Sequence, residues 1–249
     1  MIKTDFTIIS NKKIADRTYE MILESQEPNG ITRPGQFVNI KIDGYFLRRP
    51  ISVCSWTDRE LKIIYKTVGS GTETMSRMTA GTTLDILSGL GNGYDLSEEK
   101  NIGAKPLLIG GGAGVPPMYG LAEKLTAQGI KPTVVLGFNK ADESFYTEEF
   151  RKLGAETIIA TADGSLGIRG FVTDVIGNLE YTYIFSCGPL PMLKAIDETA
   201  PRDIGGQFSF EERMGCGFGA CMGCSCKTKY GNKRICKEGP VLERGEIIW

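Results

Sequence analysis

The chain has 249 residues, of which 41% are hydrophobic and 24% charged, and this ordinary globular composition argues against disorder. Its 29 Lys and Arg and 30 Asp and Glu leave a net charge of −1, so we expect neither nucleic acid nor an anionic membrane as a partner. It contains no histidine, which excludes His-dependent zinc sites and Ser-His-Asp triads and indicates that any chemistry rests on cofactors.

Short alternating apolar stretches fill the first part of the chain, residues 1–98. They predict antiparallel strands at residues 6–9, 19–23, 36–42, 61–68 and 82–87, with one helix at 72–78. Strands of this number and length favour a small β-barrel. Within this part, Arg49 and Ser52 flank Pro50, and the guanidinium fork of an Arg suits a diphosphate, although an Arg-Arg-Pro tripeptide is usually a solvated surface.

From about residue 105 the pattern changes to alternating strands and helices. Strands are predicted at residues 106–109, 133–138, 157–160 and 183–186, and helices at 116–128, 147–153 and 172–176 and from 192 onwards. Such alternation predicts a doubly wound parallel sheet over residues 99–205. After residue 205 the chain becomes rich in Gly and Cys, with a hairpin expected at 227–234 that turns at Gly231-Asn232.

A glycine-rich run, Gly110-Gly111-Gly112-Ala113-Gly114, joins the first of these strands to its helix. Backbone at such a turn can approach a pyrophosphate, which favours a dinucleotide site, and a tight turn that binds nothing is the alternative. Cys187-Gly188-Pro189 closes a later strand, at the edge of the sheet where ligands bind. Cys187 could face a nicotinamide ring or be a small buried hydrophobe. After the second strand, Asp142 and Glu143 could accept hydrogen bonds from an adenosine ribose or repel a 2′-phosphate, which favours NADH over NADPH, whereas Lys140 beside them favours NADPH.

Four cysteines near the end of the chain form a C-x4-C-x2-C-x11-C pattern, namely Cys216, Cys221, Cys224 and Cys236. Three thiolates in one short glycine-rich loop and a fourth further on are typical of a [2Fe–2S] cluster. A structural zinc site is the alternative, but zinc sites usually pair two short C-x2-C segments. The first residues contain no apolar signal segment and no stretch is long enough to span a membrane, so we expect a cytoplasmic protein with reduced thiols.

Together these motifs resemble the ferredoxin-NADP reductase superfamily, and within it the iron–sulfur electron-transfer subunits of NAD-dependent dihydroorotate dehydrogenases. The resemblance spans nearly the whole chain and rests on Arg49-Pro50-Ile51-Ser52, Gly69-Ser70-Gly71-Thr72, the glycine run with Val115-Pro116-Pro117, Ser186-Cys187-Gly188-Pro189 and Glu212-Arg213-Met214-Gly215-Cys216. It implies an FAD-binding β-barrel over residues 1–98, an NAD-binding α/β domain over 99–205 and a [2Fe–2S] module over 206–249.

The resemblance also implies the site residues. FAD would be held by Arg49, Pro50, Ile51 and Ser52, lined by Ile64, Tyr65 and Lys66, and anchored at its pyrophosphate by the Gly71 and Thr72 amides. NAD(H) would lie against Gly111, Gly112, Gly114, Cys187, Gly188 and Pro189, and Cys216, Cys221, Cys224 and Cys236 would ligate the cluster. Many members of the superfamily carry Tyr where this chain has Ile51, and Cys226 has no counterpart among the ligands.

The function implied is an oxidoreductase subunit in pyrimidine biosynthesis. Electrons would pass from dihydroorotate through an FMN-containing catalytic partner, the cluster and FAD to NAD, in an assembly of two copies of each chain. Alone, the chain would show only NADH-to-dye (diaphorase) activity. Two alternatives stay open: the small subunit of an NADH-dependent ferredoxin:NADP reductase or cytoplasmic hydrogenase complex, and a zinc-binding adaptor protein.

Overall fold

A six-stranded antiparallel barrel forms the first part of the computed structural model, which describes residues 1–97, 100 and 102–249. Its strands are β1 (Ile2–Ala15), β2 (Thr18–Glu24), β3 (Phe37–Ile40), β4 (Arg49–Trp56), β5 (Glu60–Lys66) and β6 (Thr83–Leu90), with helix α1 (Ser70–Ser76) between the last two. The barrel closes in the order β1-β2-β5-β4-β3-β6. The predicted barrel is therefore confirmed.

The pattern of burial along β5 explains how the barrel presents a wall to the rest of the chain. Leu61, Ile63 and Tyr65 alternate toward the barrel interior and are nearly inaccessible, as the two-residue period of a strand requires. Ile64 points to the opposite face and is nevertheless buried, because it packs in a hydrophobic cluster with residues of the second part. One outer face of the barrel is thus covered by protein.

The second part is a seven-stranded sheet with helices between its strands. In chain order it comprises β7 (Pro106–Gly111), α2 (Val115–Ala127), β8 (Thr133–Phe138), α3 (Thr147–Lys152), β9 (Glu156–Thr161), β10 (Ile168–Arg169), α4 (Val172–Ile176), β11 (Tyr183–Cys187), α5 (Leu190–Thr199) and β12 (Gly205–Ser209). All these strands are parallel, in the order β10-β9-β8-β7-β11-β12. The predicted doubly wound sheet is confirmed.

The C-terminal segment does not stand apart from this sheet. Its strand β15 (Val241–Glu243) pairs antiparallel with β12 and forms the seventh strand. Between β12 and β15, residues 210–240 carry the cysteines and a hairpin of β13 (Ser225–Thr228) and β14 (Gly231–Arg234). Thr228 pairs with Gly231, so the hairpin turns at Lys229 and Tyr230 and not at Gly231-Asn232 as predicted, because the Thr228 hydroxyl closes the turn on the Gly231 carbonyl at 2.8 Å.

Barrel and sheet pack directly on each other. Helix α2 lies against β4, with Cys54 and Ile64 of the barrel in one hydrophobic cluster with Val115 and Met118 of the helix. The expected boundary between residues 98 and 99 lies outside the described residues, and the one between 205 and 206 falls within β12. Across the described part of the chain, no helix combines the length and apolar character needed to cross a bilayer.

Candidate functional site

Two clefts lie where the barrel meets the carboxyl edge of the sheet. The first, which we call the barrel cleft, has a volume of about 370 Å³. It is lined by nearly all the residues expected to hold FAD, namely Arg49, Pro50, Ile51, Ser52, Ile64, Tyr65, Lys66 and Thr72, together with Phe37, Val68, Ala113, Cys187, Ser209, Phe210, Glu211, Glu212, Met214 and Pro240. The structure therefore gathers residues that lie far apart in the sequence onto one surface.

Gly71, the remaining residue of that set, lies directly beneath Arg49. A Cβ atom added to Gly71 would fall 2.2 Å from Arg49 Nε, so only glycine lets the guanidinium rest on this backbone. The guanidinium also stands 4.8 Å from the centroid of the Tyr45 ring, a cation–π contact. The hydroxyl of Thr72 is turned back and accepts from the N–H of Val68 at 3.0 Å. A fixed guanidinium above a bare backbone segment fits a diphosphate.

The second cleft, which we call the sheet cleft, has a volume of about 560 Å³ and opens at the carboxyl ends of the parallel strands. Of the expected NAD residues, Gly111, Gly112 and Pro189 line it, with Lys66, Ala113, Gly137, Phe138, Asn139, Glu143, Ala162, Gly170, Phe171, Val172, Thr173, Pro191, Met192, Ala195 and Glu211. Gly114 and Gly188 lie behind this wall. A Cβ on Gly114 would fall 2.0 Å from the Cys187 carbonyl oxygen, so glycine lets the start of α2 reach the end of β11.

Cys187 takes part in the barrel cleft and not in the sheet cleft. Its side chain is buried, and this burial raises the pKa of the thiol well above the usual range. The thiol therefore stays protonated and neutral at pH 7, as a small buried side chain should.

Three residues, Lys66, Ala113 and Glu211, line both clefts, so the two form one continuous surface. Glu211 remains accessible to water, but the protein crowded around it in the cleft raises the pKa of its carboxyl through desolvation. The sequence offered no signal for this residue beyond its position just before the motif that begins at Glu212.

An ion pair bridges the barrel and the sheet where the two clefts meet. Lys66 Nζ donates to Glu143 Oε2 at 2.6 Å, and Asn139 Nδ2 donates to the same oxygen at 3.2 Å. Glu143 also lines the sheet cleft, whereas Asp142 pairs with Lys140 at 2.8 Å, so the role of the two carboxylates toward an adenosine ribose stays a prediction. A barrel lysine separated by 77 positions could not be foreseen as the partner of Glu143.

The four candidate cluster ligands form two pairs. The N–H of Cys221 donates to Cys216 Sγ at 3.4 Å, and the N–H of Cys236 donates to Cys224 Sγ, also at 3.4 Å. Among the described residues, no three Cys, Asp or Glu side chains come together closely enough to hold a single metal ion. Two thiol pairs would suit the two irons of a [2Fe–2S] cluster, one pair for each iron.

Backbone groups prepare this site for thiolates. Burial opposes ionisation of Cys216, but the N–H groups of Cys221, Phe218 and Ala220 outweigh it and lower the pKa of the thiol to about 6. Burial and the neighbouring Cys224 raise the pKa of Cys236 to about 12. Cys216 is thus ready to ligate at neutral pH, and the positive charge of iron would have to deprotonate the buried Cys236. The burial of Cys226 likewise raises the pKa of its thiol.

The loop that carries the first three cysteines, residues 215–224, is held from two sides and is called the cluster loop below. From the C-terminal side, Arg234 Nη1 donates to the Gly219 carbonyl at 2.6 Å, and the same guanidinium pairs with Glu238. From the barrel side, Asn39 Nδ2 donates to the Cys216 carbonyl at 3.2 Å. Sequence reasoning missed Asn39 and Arg234, since neither belongs to a recognisable motif.

Comparison with known proteins agrees with this geometry. The model of the iron–sulfur cluster binding domain of dihydroorotate dehydrogenase B matches residues 211–248. The dihydroorotate dehydrogenase B (NAD(+)) electron transfer subunit of Fusobacterium nucleatum is 46% identical, over 98% of this chain and 97% of that protein. The subunit of the same name from Bacillus cereus strain B4264 is 41% identical, over 100% of this chain and 99% of that protein.

Solved structures share the fold. A chain of the NADH-dependent reduced ferredoxin-NADP oxidoreductase superposes with a TM-score of 0.88 at 27% identity, covering 98% of this chain and 90% of that one. Phthalate dioxygenase reductase, described as transferring electrons from pyridine nucleotides to [2Fe–2S], superposes with a TM-score of 0.68 at 16% identity, covering 97% and 76%.

Proposed function

Because the chain belongs to the family of dihydroorotate dehydrogenase B (NAD(+)) electron transfer subunits, we propose that it carries electrons between a dihydroorotate-oxidising flavoprotein and NAD in pyrimidine biosynthesis. The barrel cleft would hold FAD, the sheet cleft NAD(H), and Cys216, Cys221, Cys224 and Cys236 a [2Fe–2S] cluster. Its seven cysteines are all free thiols, which supports a reducing, cytoplasmic location as part of the proposal.

The observation that carries this proposal is the continuity of the three sites. The two clefts share Lys66, Ala113 and Glu211. At the other end of the barrel cleft, Phe37 both lines the cleft and packs in the same hydrophobic cluster as Cys224 and Cys236. The residues proposed to bind nucleotide, flavin and cluster are thus linked by shared lining residues and by one hydrophobic cluster, which supports a relay of electrons between them.

When bound, FAD would convert between two-electron and one-electron transfer: NAD(H) exchanges electrons in pairs, as hydride, and the cluster carries them singly. The residues of the chain bind and orient. Arg49 would pair with the FAD diphosphate, and Gly114 lets the start of α2 approach the end of β11. Lys66 holds its ammonium group at the junction, where Glu143 fixes it, and the protonated Cys187 thiol forms a neutral wall of the barrel cleft.

The exposed side of the cluster loop is the proposed docking face for the catalytic partner. Phe218 is 43% exposed and Met222 is 55% exposed, so neither side chain is turned inward to shield the cysteines. Apolar side chains left in water beside a redox site are typical of an interface. The partner is an FMN-containing dihydroorotate-oxidising subunit, in a complex of two copies of each chain.

The test is reconstitution of the purified chain with that catalytic subunit. We expect FAD and two irons per chain, NADH-to-dye activity without the partner, and reduction of NAD by dihydroorotate only with it. A colourless protein that binds zinc would overturn the proposal. Turnover with ferredoxin and NADP but none with the dihydroorotate-oxidising subunit would instead support a role like that of the 27% identical oxidoreductase chain.

A further inference from the structure

Asn39 is a buried amide at the point where the barrel meets the cluster loop. It lies on β3, only 1% of its surface is exposed, and its Nδ2 donates to the carbonyl of Cys216 at 3.2 Å. The two residues are 177 positions apart, so this hydrogen bond joins two distant parts of the chain. It is formed with the backbone of a candidate cluster ligand.

The cluster loop is shaped to rest on this amide. Gly217, the residue after Cys216, is buried, and a Cβ atom there would fall 2.3 Å from Asn39 Nδ2. Its φ of +79° is also a conformation that favours glycine. Any other residue would push the loop off the barrel. The loop backbone therefore touches the Asn39 amide with no side chain in between.

The same strand forms a wall of the barrel cleft. Phe37, two residues earlier on β3, lines the cleft, and Pro50, which also lines it, is the partner of Asn39 across the β3–β4 ladder. Asn39 does not line the cleft itself, but it links the strand that forms this wall to the first candidate cluster ligand. A shift of its amide would change the position of Cys216 relative to the flavin site.

The amide is oriented so that its donor, and not its acceptor, faces the loop. Asn39 Oδ1 is buried without a hydrogen-bond partner, a feature that among the described residues is shared only by Ser88 Oγ. Exchanging the positions of Oδ1 and Nδ2 would set two acceptors, Oδ1 and the Cys216 carbonyl oxygen, against each other. In the observed orientation Asn39 Oδ1 is a buried acceptor without a partner, which costs folding free energy, while Nδ2 donates to the cluster loop.

We propose that Asn39 is a positioning residue: its amide fixes Cys216 and Gly217 against the barrel and so sets how readily the cluster exchanges electrons with the flavin. This deepens the proposed function and rests on the presence of the cluster and FAD. Groups that hold a metal ligand in place, and hydrogen bonds around a cluster, adjust its reactivity and reduction potential. Asn39 does so without touching a sulfur atom in this structure.

The test compares Asn39→Leu, which keeps the approximate shape and removes the donor, with Asn39→Asp, which sets an oxygen against the Cys216 carbonyl. Ser88→Ala is the matched control, because it removes the other unpaired buried polar atom of the same barrel. In the chain carrying FAD and cluster, we expect both Asn39 variants to keep FAD and NADH-to-dye activity within twofold of wild type. Anaerobic stopped-flow mixing with NADH should show cluster reduction slowed at least tenfold.

A second readout is the reduction potential of the cluster, followed by electron paramagnetic resonance. We expect the reduction potential of the cluster to shift in both Asn39 variants and to stay unchanged in Ser88→Ala. The shift is read from the oxidised-to-reduced ratio, of which a tenfold change corresponds to about 59 mV for one electron. Variants with the rate, potential and spectrum of the control would overturn the inference. So would variants that unfold or lose FAD, since Asn39 would then be only a core residue of the barrel. A wild-type chain without a cluster would refute the proposed function instead.

Discussion

Gly114→Ala tests whether the close approach of α2 to β11 builds the NAD(H) site. The added Cβ would lie 2.0 Å from the Cys187 carbonyl oxygen, 2.3 Å from the Cys187 carbonyl carbon and 2.7 Å from the Gly188 nitrogen. Ordinary van der Waals contact begins at 3.4 Å, so the two backbone segments must part by about 1.4 Å. All three atoms belong to backbone, which cannot turn aside as a flexible side chain can.

Two effects of different size follow. Overpacking of this kind destabilises a protein by about 1–3 kcal/mol, which corresponds to roughly 2–4 °C in Tm for each kcal/mol in a chain of this length. A misplacement of about 1 Å at a binding wall lowers kcat/KM on the order of 10²-fold. We therefore expect a folded variant that keeps FAD and iron but reduces dyes slowly with NADH, because neither Arg49 nor any of the four candidate cluster ligands is among the three nearest atoms that the added Cβ would meet.

The assay is steady-state NADH-to-dye turnover, with FAD and iron measured on the same preparation. Gly177→Ala is the matched control. It makes the same substitution in the same α/β part of the chain, directly after α4, where a Cβ would meet nothing within 4 Å. If Gly114→Ala has a kcat/KM for NADH within twofold of this control, the approach of α2 to β11 does not form the nucleotide site.

The remaining predictions concern the other sites. Arg49→Ala should weaken FAD retention about 10–100-fold, as the loss of a charged hydrogen bond implies, whereas Arg59→Ala on an exposed turn should not; acid release that yields only FMN would contradict the FAD assignment. Serine at each candidate ligand should abolish the cluster spectrum; loss of the cluster in Cys226→Ser with retention in Cys236→Ser would refute the ligand set. The double variant Phe218→Ser, Met222→Ser should keep cluster and dye activity but lose turnover with the dihydroorotate-oxidising subunit, unlike Ile9→Ser on the exposed face of β1; survival of both turnover and complex formation would move the docking face elsewhere. Hydrogen bonds from Arg234 lower the pKa of Glu238 to about 2, so this pair stabilises the fold fully above about pH 4.5 and progressively less as the pH falls toward 2. Glu238→Gln should cost up to about 1 kcal/mol at pH 7, because the pair is partly exposed, and a Tm difference from wild type that does not shrink between pH 7 and 3 would contradict this.

Local patterns made much of the fold predictable. Alternation identified β2 and β5, and the change to strand–glycine–helix identified β7 with α2, since both signals arise from neighbouring residues. Strand β4 was not predicted as a strand because Pro50 near its start cannot donate to a strand ladder, yet Pro is tolerated at the first residues of a strand. Strand β12 was missed because Gly205 and Gly206 mimic a linker.

At the candidate site, too, contacts between residues close in sequence could be predicted and contacts between distant residues could not. The cysteine spacing predicted the loop because its residues are close in sequence, and the two thiol pairs of the structure agree with that spacing. Asn39 and the Lys66–Glu143 pair could not be predicted, because each contact joins residues far apart in the chain and neither partner stands in an unusual local pattern. Contacts of this kind are fixed only when the barrel and the sheet pack together.

The return of the chain to the sheet at β15 has a consequence for protein engineering. Residues 210–240 leave from β12 and come back to its neighbour, so the cysteine-bearing segment is an excursion from the sheet edge, tethered at both ends. Excising everything after residue 205 would delete the last two strands on this side of the sheet, β12 and β15, and expose the row of backbone N–H and C=O groups on β11. The cysteine-bearing segment is therefore not an independent domain on a flexible linker. Grafting it into another reductase requires β12 and β15 as well, because both of its ends are strands of the sheet.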